Sequence, residues 1–156
     1  MGSVSTCLWF DGQAEEAARF YTSVVKNSRI TDVVPYGDAG PGPTGSVMVV
    51  LFELDGQEFI GLNGGPQFTF DEAISIHLTC DSQEEIDELW EKLTAGGEEG
   101  PCGWLKDRYG LSWQVDSREL HEMISGADKE AAARATKAML QMKKLDVQAL
   151  RDAYAG

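Results

Sequence analysis

The feature that most restricts the fold of this chain is a pattern that occurs twice along its 156 residues. In the first copy, Thr6 to Phe10 is typical of a short strand. Apolar residues then recur at spacings of three and four from Ala14 to Val25, which predicts one face of an amphipathic helix. Three further strands are predicted at about Ile30 to Tyr36, Ser46 to Leu54 and Glu58 to Asn63.

The second copy has the same order of elements. Ala73 to Cys80 is predicted to be a strand, and Ser82 with Glu85 forms a capping-box pattern where a second amphipathic helix begins. Short strands are predicted within Glu98 to Lys106 and Leu111 to Val115. We therefore predict an α+β fold of two tandem βαβββ units, which form a curved mixed sheet around a cavity with one helix on each outer face.

The last thirty residues follow a different pattern, which predicts a C-terminal helical extension. One or two helical turns are expected after Asp116, then a helix capped by Asp128 that runs to about Met142 and a short helix capped by Asp146. We predict that residues 1–126 form the paired βαβββ domain and that residues 127–156 are a helical extension of it. The Ala/Met stripe of the extension predicts a packing surface, on its own domain or on a second subunit of a homodimer.

Charge and hydropathy exclude several classes of function. The net charge of −13 gives a surface that repels nucleic acids and anionic membranes, so neither is expected as a partner. No apolar run approaches the ~20 residues that cross a bilayer. The N-terminus lacks a basic region followed by an apolar one, and we therefore predict a cytoplasmic protein.

The three cysteines do not predict a disulfide framework or a zinc site, because their number is odd and their spacing is wide. Cys7 and Cys80 lie in apolar strand segments and are predicted to be buried. Cys102 is a candidate nucleophile if a cation or base such as Lys106 or His77 lies close to it. A structural role for Cys102 is the alternative that we favour.

Alternation along the strands predicts which side chains face the cavity. In the fifth strand the apolar set Ile74, Ile76, Leu78 and Cys80 is assigned to the helix side, and the residues between them to the cavity. The predicted lining comprises Thr6, Leu8, Phe10, Phe59, Asn63, Ser75, His77, Thr79, Trp104, Ser112 and Gln114. Gly61 lies on the same side, and no Asp or Glu is predicted there. Aromatic walls with a few polar groups suit a small organic ligand.

Four segments together resemble the vicinal-oxygen-chelate superfamily of glyoxalases, bleomycin-resistance proteins and dioxygenases. The sequence is most similar to the PhnB-like branch, which is often labelled demethylubiquinone methyltransferase-like. The segments are FDGQAEEA at 10–17 with Phe20-Tyr21, LNGG at 62–65, CDSQEEID at 80–87, and CGWLKD at 102–107 continued by SWQ at 112–114. The resemblance covers about residues 4–145 and implies the paired βαβββ fold and a homodimer.

The resemblance also implies where a divalent metal would be held, on the first and fourth strands of each repeat. Those places are filled here by Thr6, by Gly61 or Asn63, by Ser75 (or His77 if the register shifts by two), and by Gln114. Most of these side chains are poor metal ligands. No cofactor is therefore expected; if a divalent metal does bind, His77 and Gln114 are its predicted ligands. His121 is predicted to be a surface residue.

These observations favour a small-molecule-binding protein of the glyoxalase/bleomycin-resistance type with no assured catalytic activity. One alternative is a divalent-metal-dependent lyase, isomerase or dioxygenase. Another is a resistance protein that sequesters a cationic drug. The methyltransferase label is not favoured, because no GxGxxG segment follows a strand and the strand order is not doubly wound.

Overall fold

Residues 2–156 are described by a computed structural model of the chain, and within them lie eight strands and five helices. The elements are β1 Thr6–Phe10, α1 Ala14–Val24, β2 Arg29–Pro35, β3 Val47–Leu54, β4 Gln57–Asn63, β5 Ser75–Cys80, α2 Gln83–Thr94, β6 Glu98–Glu99, β7 Trp104–Lys106, β8 Ser112–Ser117, α3 Arg118–Ser125, α4 Lys129–Met139 and α5 Val147–Ala155. The α+β class and the two tandem βαβββ units are confirmed.

The chain divides after Phe70 into two compact units, which we call unit 1 and unit 2; unit 2 is Asp71–Gly156. Each unit contains one four-stranded mixed sheet, with strand orders β1-β4-β3-β2 and β5-β8-β7-β6. In both sheets the first pair is parallel and the other pairs are antiparallel. The two units therefore repeat the same topology. The cavity and the boundary between residues 126 and 127 stay predictions.

In unit 1 the sheet has a face packed against α1, and we call such a helix-packed face the near face and the opposite one the far face. The side chains of α1 that pack are small, apart from Tyr21, and are fully buried. Gly61 of β4 lies directly beneath Ala14, since a Cβ added to it would be 3.3 Å from the Ala14 Cβ. The rings of Phe52 and Phe59 stack at 5.4 Å on this face.

In unit 2 the helix α2 begins with the predicted capping box. The hydroxyl of Ser82 accepts a hydrogen bond from the backbone N–H of Glu85 at 3.2 Å. The Glu85 carboxylate accepts in return from the N–H of Asp81, one residue before the cap, at 2.9 Å. The buried side chains of α2 cover a near face that contains Trp113 and Val115, both 0% exposed.

The turn between β7 and β8 is built on a buried carboxylate. Asp107 is 3% exposed, and its Oδ1 accepts hydrogen bonds from the backbone N–H groups of Tyr109 and Leu111 at 2.8 and 3.1 Å. Its Oδ2 accepts from the indole N–H of Trp113 at 2.8 Å. The turn at 107–110 is thus fixed by one side chain that satisfies three donors.

The C-terminal helices pack within unit 2. The predicted caps are confirmed, since Asp128 and Asp146 accept from the N–H groups of Ala131 and Ala149 at 3.0 Å each. The α4 helix ends at Met139, earlier than predicted. The alanines at 131, 132 and 135 are buried, so this part of the Ala/Met stripe packs inside its own unit, while Met139 and Met142 are half-buried. The homodimer stays a prediction, which the mass of the protein in solution would test.

Two further expectations concern exposure. Cys80 is buried as predicted, but Cys7 is exposed, because it points to the far face of unit 1 and not to α1. In the part of the chain that the structure describes, none of the helices combines the length and the apolar character needed to cross a membrane.

Candidate functional site

The far face of unit 2 brings together the polar side chains that alternation predicted for one side of the sheet. β5 and β8 pair in parallel, with Ser75 opposite Ser112, His77 opposite Gln114 and Thr79 opposite Asp116. β7 adds Trp104 opposite Gln114 and Lys106 opposite Ser112. The register places these residues on one side of the sheet, while their place in a cavity and their role in ligand binding stay predictions. Ile74 is 54% exposed and precedes β5, so it does not belong to the buried apolar set.

In unit 1 the prediction of which side chains face away from the helix was wrong, because the two sides of the strands are exchanged. Leu8 lies opposite Gly61, and Gly61 contacts α1, so this alternation belongs to the near face. The residues corrected in this way are Thr6, Leu8, Phe10, Phe59, Gly61 and Asn63. The far face carries instead Cys7 and Trp9 of β1. β1 is apolar on both sides, so a polarity pattern could not select its buried face.

Asn63 has a structural role that accounts for its whole amide group. Its Oδ1 accepts from the backbone N–H of Ala14 at 2.9 Å, at the first residue of α1. Its Nδ2 donates to the carbonyl of Val47 at 3.0 Å. Gln13, the residue before α1, makes no side-chain cap. Asn63, the last residue of β4, therefore caps the N-terminus of α1. Its side-chain amide is not free to hold a metal.

The places that the resemblance assigned to metal ligands do not fit a metal. Thr6, Gly61 and Asn63 lie on the near face. In unit 2 the side-chain amide nitrogen of Gln114, Nε2, donates to the Ser75 hydroxyl at 3.0 Å. An amide bonded to a hydroxyl offers neither an imidazole nor a carboxylate, which divalent transition metals prefer.

Ser112 carries a polar atom that is unusual for the interior. The residue is 1% exposed, and among the described residues its Oγ has no hydrogen-bond partner. It borders a cleft of about 420 Å³, which we call the β7 cleft. The cleft is lined by Glu72, Glu98, Glu99, Gly100, Pro101, Trp104, Leu105, Lys106 and Ser112. Its volume is within the range of small-molecule sites.

The charge of the β7 cleft is mainly acidic. Lys106 forms an ion pair with Glu72; the hydrogen bond to the Glu72 carboxylate raises the pKa of Lys106, and the same bond lowers the pKa of Glu72. The ammonium is therefore already paired within the cleft, while Glu98 adds further negative charge near it. Both effects disfavour an anionic ligand.

A second polar group on the far face of unit 2 was not predicted. Nε2 of His77 lies 2.9 Å from Oδ2 of Asp116, and Nε2 of His121 lies 2.8 Å from the same oxygen. The expectation that this face has no carboxylate is wrong, because β8 continues past Val115 to Ser117. His121 is a surface residue, with 57% of its side chain exposed, but it belongs to this cluster. The alternation Ser112, Gln114, Asp116 was the signal that could have revealed the carboxylate.

The reactive-thiol hypothesis for Cys102 gains no geometric basis. Cys102 is a free, half-buried cysteine whose backbone has φ 57°. Its N–H donates to the carbonyl of Met142 at 2.8 Å, which fixes the loop to the segment after α4. Lys106 is paired with Glu72 and His77 with Asp116.

Two tandem βαβββ units, each with its helix on one face of a four-stranded sheet, define a protein of the glyoxalase/bleomycin-resistance fold. The family model described as 3-demethylubiquinone-9 3-methyltransferase matches residues 2–116. The chain therefore belongs to this PhnB-like family. The helices α3 to α5 lie outside the matched segment.

Solved structures agree with this assignment. The PhnB protein of Bacillus cereus is 38% identical, with 74% of this chain and 99% of that chain covered and a TM-score of 0.67. The protein PA1353 from Pseudomonas aeruginosa is 22% identical over 75% of this chain and 98% of its own, with a TM-score of 0.61. The fosfomycin resistance protein FosX from Listeria monocytogenes, solved with Mn(II) and sulfate, is 19% identical over 72% and 88%, with a TM-score of 0.50. The last two show the fold alone, and no curated protein matches the chain.

Proposed function

We propose that the protein binds a small, neutral or cationic organic molecule in the β7 cleft. The observation that carries this proposal is the Ser112 hydroxyl, which is buried without a partner among residues 2–156 and borders the cleft. A buried polar group without a hydrogen bond costs about 1–3 kcal/mol. A ligand with a donor or acceptor at this point would recover that free energy.

The chemistry of the wall indicates the class of ligand. The half-buried Trp104 ring offers an aromatic surface, on which planar or cationic groups are stabilised. Glutamates outnumber the single lysine among the lining residues, and that lysine is paired with Glu72. An aromatic molecule that is neutral or carries a positive charge therefore fits the cleft better than a carboxylate or a phosphate.

Binding without assured catalysis remains our preferred function. A methyltransferase activity gains no support from the fold, because neither sheet has the doubly wound order of the usual cofactor-binding sheet. A metal-dependent lyase, isomerase or dioxygenase would need ligands that Gln114 and Ser75 do not supply. The drug-sequestering alternative is a special case of the proposal, and the acidic cleft favours it for cationic drugs.

The proposal is tested by screening drug-sized aromatic compounds in matched neutral, cationic and anionic forms. Thermal shift would identify compounds, and calorimetry would measure their affinity for the full chain. Neutral and cationic members should bind more tightly than their anionic counterparts. Ser112→Ala and Trp104→Ala should each weaken binding by about tenfold or more, which corresponds to one lost hydrogen bond or aromatic contact.

Ser117→Ala is the matched control. Ser117 is also a buried serine of β8, but it does not line the cleft, so its substitution should leave the affinity unchanged. The proposal fails if no compound of any charge binds, or if Ser112→Ala and Ser117→Ala bind every ligand equally well.

A further inference from the structure

We propose that His77, Asp116 and His121 form a binding site for a divalent transition-metal ion of the zinc class. One ligand atom from each residue lies within 4.8 Å of those of the other two. The histidine nitrogens both point at Oδ2 of Asp116. This site lies beside the β7 cleft residues on the same sheet, but it does not depend on the function proposed for that cleft.

Three elements of unit 2 bring these side chains together. Because Thr79 lies opposite Asp116 in the parallel β5–β8 pair, His77 projects from the same face two residues earlier. The α3 helix begins directly after β8, with Ser117 as its N-cap, and this places His121 within the first turns beside the strand end. The backbone N–H of Ser117 donates to Oδ1 of Asp116 at 2.7 Å, so Oδ1 is anchored and Oδ2 faces the two imidazoles.

The donor set is suited to a metal of this class. Two imidazoles and one carboxylate, with a further position for water or substrate, are the ligands of many zinc sites. With bonds of about 2.0–2.1 Å, neighbouring ligand atoms of a tetrahedral site lie about 3.3 Å apart. The present N–O distances of 2.9 and 2.8 Å would therefore need to open by only a few tenths of an ångström.

Accessibility also favours an exchangeable ion. The side chains of His77 and Asp116 are 37% and 19% exposed, and His121 is more exposed than either. The imidazole rings of His77 and His121 meet edge to face with centroids 5.7 Å apart. Their Nε2 atoms therefore approach Oδ2 of Asp116 from different directions. An ion can enter from solvent, and a coordination position remains open on the exposed side.

The cluster differs from the metal positions implied by the superfamily resemblance. Those positions in unit 2 are Ser75, or His77 if the register shifts by two, and Gln114. Ser75 and Gln114 are hydrogen-bonded to each other, and of these three residues only His77 belongs to the cluster. His121 lies in α3, beyond the segment that matches the family model. The alternative is that both imidazoles donate hydrogen bonds to Oδ2 of Asp116 and fasten α3 to the sheet without any ion.

The test is a calorimetric titration of the full chain with ZnCl₂, after removal of any affinity tag and treatment with a chelator. We expect one ion per chain. Loss of an outer-shell partner alone weakens metal binding by about 10–100-fold. His77→Ala, His121→Ala and Asp116→Asn should therefore each weaken Zn²⁺ binding by about 100-fold or more.

Controls separate this site from other sources of affinity. Gln114→Ala and Cys7→Ser should bind Zn²⁺ as the unsubstituted protein does. A large excess of Mg²⁺ or Ca²⁺ should not displace Zn²⁺, because those ions prefer oxygen ligands. Displacement by either ion would assign the binding to surface carboxylates and overturn the proposal.

Substitution by Co²⁺ gives a readout that does not depend on variants. The visible spectrum should show ligand-field bands of a nitrogen and oxygen site, without thiolate charge-transfer bands. The proposal is overturned if Zn²⁺ does not bind, if His77→Ala and His121→Ala bind it undiminished, if Gln114→Ala alone abolishes binding, or if thiolate bands appear.

Discussion

The two units share one topology but differ in what their far faces carry. In unit 1 the part of this face formed by β1, β4 and the middle of β3 is apolar, with Cys7, Trp9, Val49, Leu51, Ile60 and Leu62. Charged residues lie only toward β2 and the β3–β4 turn, at Arg29, Asp32, Glu53 and Glu58. In unit 2 the corresponding strands carry hydroxyl, amide, imidazole and carboxylate groups at Ser75, His77, Thr79, Ser112, Gln114 and Asp116. The two units therefore share one fold, and the hydroxyl, amide and imidazole groups of the paired strands β5 and β8 have no counterpart on the far face of β1 and β4.

The units also differ in how they fix equivalent local structures. The β3–β4 turn of unit 1 uses left-handed backbone at Asp55 and Gly56, with φ of 48° and 81°. The β7–β8 turn of unit 2 uses the buried Asp107 carboxylate. Likewise α1 is capped by Asn63 from β4, whereas α2 is capped by its own Ser82. Substitutions at equivalent points should therefore have unequal effects.

The largest effect is expected at the β7–β8 turn. Asp107→Ala leaves three donors without their acceptor in a buried setting, and we expect the free energy of unfolding to fall by about 3–5 kcal/mol. Asp55→Ala at the exposed β3–β4 turn should cost about 1 kcal/mol, since an alanine tolerates left-handed backbone less well than an aspartate. Urea unfolding of both variants measures the two values.

Asp107→Asn serves as the control for the turn. It keeps Oδ1 for the N–H groups of Tyr109 and Leu111 but directs an amide group at the indole N–H of Trp113. Its cost should lie between those of Asp107→Ala and Asp55→Ala. Equal costs for Asp107→Ala and Asp55→Ala would contradict the proposed difference between the turns.

The second comparison concerns the helix caps. Asn63→Ala removes the acceptor for Ala14 N–H and also the donor to Val47 O, so it should destabilise the protein by about 2 kcal/mol. Ser82→Ala removes a local cap and should cost about 1 kcal/mol. Thermal unfolding of the two variants ranks them. A loss of stability in Asn63→Ala no greater than that in Ser82→Ala would show that the cap from β4 stabilises the protein no more than a local cap does.

The fold could be predicted because its signals are local. The three-and-four spacing of the helices, the Ser82–Glu85 box and the Asp128 and Asp146 caps each act within a few residues. Once each helix and strand was located, their order along the chain gave the two βαβββ units. Element ends were less accurate, as for α4, because the last turn of a helix depends on what it packs against.

The candidate site was only partly predictable, and the two sheets show why. In β5 the order Ser-Ile-His-Leu-Thr-Cys alternates in polarity, so its buried face could be assigned. In β1 the order Thr-Cys-Leu-Trp-Phe does not, and the choice of face depends on where α1 packs. The cluster of His77 with His121 needs both the β5–β8 register and the position of α3, which are not encoded in any short segment.

The next prediction uses two serines of the same strand that are almost equally buried, at 1% for Ser112 and 2% for Ser117. Ser117 Oγ accepts from the N–H of Leu120 at 3.3 Å and caps α3, so Ser117→Ala should destabilise the free protein by about 1 kcal/mol. Ser112→Ala removes an unsatisfied hydroxyl and should be neutral or stabilising by up to about 1 kcal/mol. Denaturant unfolding without ligand would show the difference in sign.

A loss of stability in Ser112→Ala similar to that in Ser117→Ala would mean that the Ser112 hydroxyl is satisfied in solution. The far face of unit 2 would then lack the feature on which the β7 cleft proposal depends. The contrast with the apolar β1 and β4 residues on the far face of unit 1 would remain, but it would no longer point to this cleft.

The smallest expected effect concerns the C-terminal helices of unit 2. Arg151 of α5 donates two hydrogen bonds to the Glu119 carboxylate of α3, at 2.6 and 2.7 Å. The hydrogen bond to Arg151 lowers the pKa of Glu119 below its ordinary value of 4.5. A carboxyl whose pKa is lower in the folded state stabilises the protein above its unfolded pKa, and this contribution is lost as the pH falls through the folded pKa.

Glu119→Gln should therefore lower the thermal midpoint slightly at pH 7, and the difference from the unsubstituted protein should disappear in acid below that lowered pKa. Added salt should also reduce the difference, because the pair is exposed. Glu91→Gln makes the same charge change at an exposed position of α2 and controls for net charge. If both variants shift the midpoint equally at every pH, the α3–α5 ion pair adds nothing specific, and the helices of unit 2 are held by their apolar contacts alone.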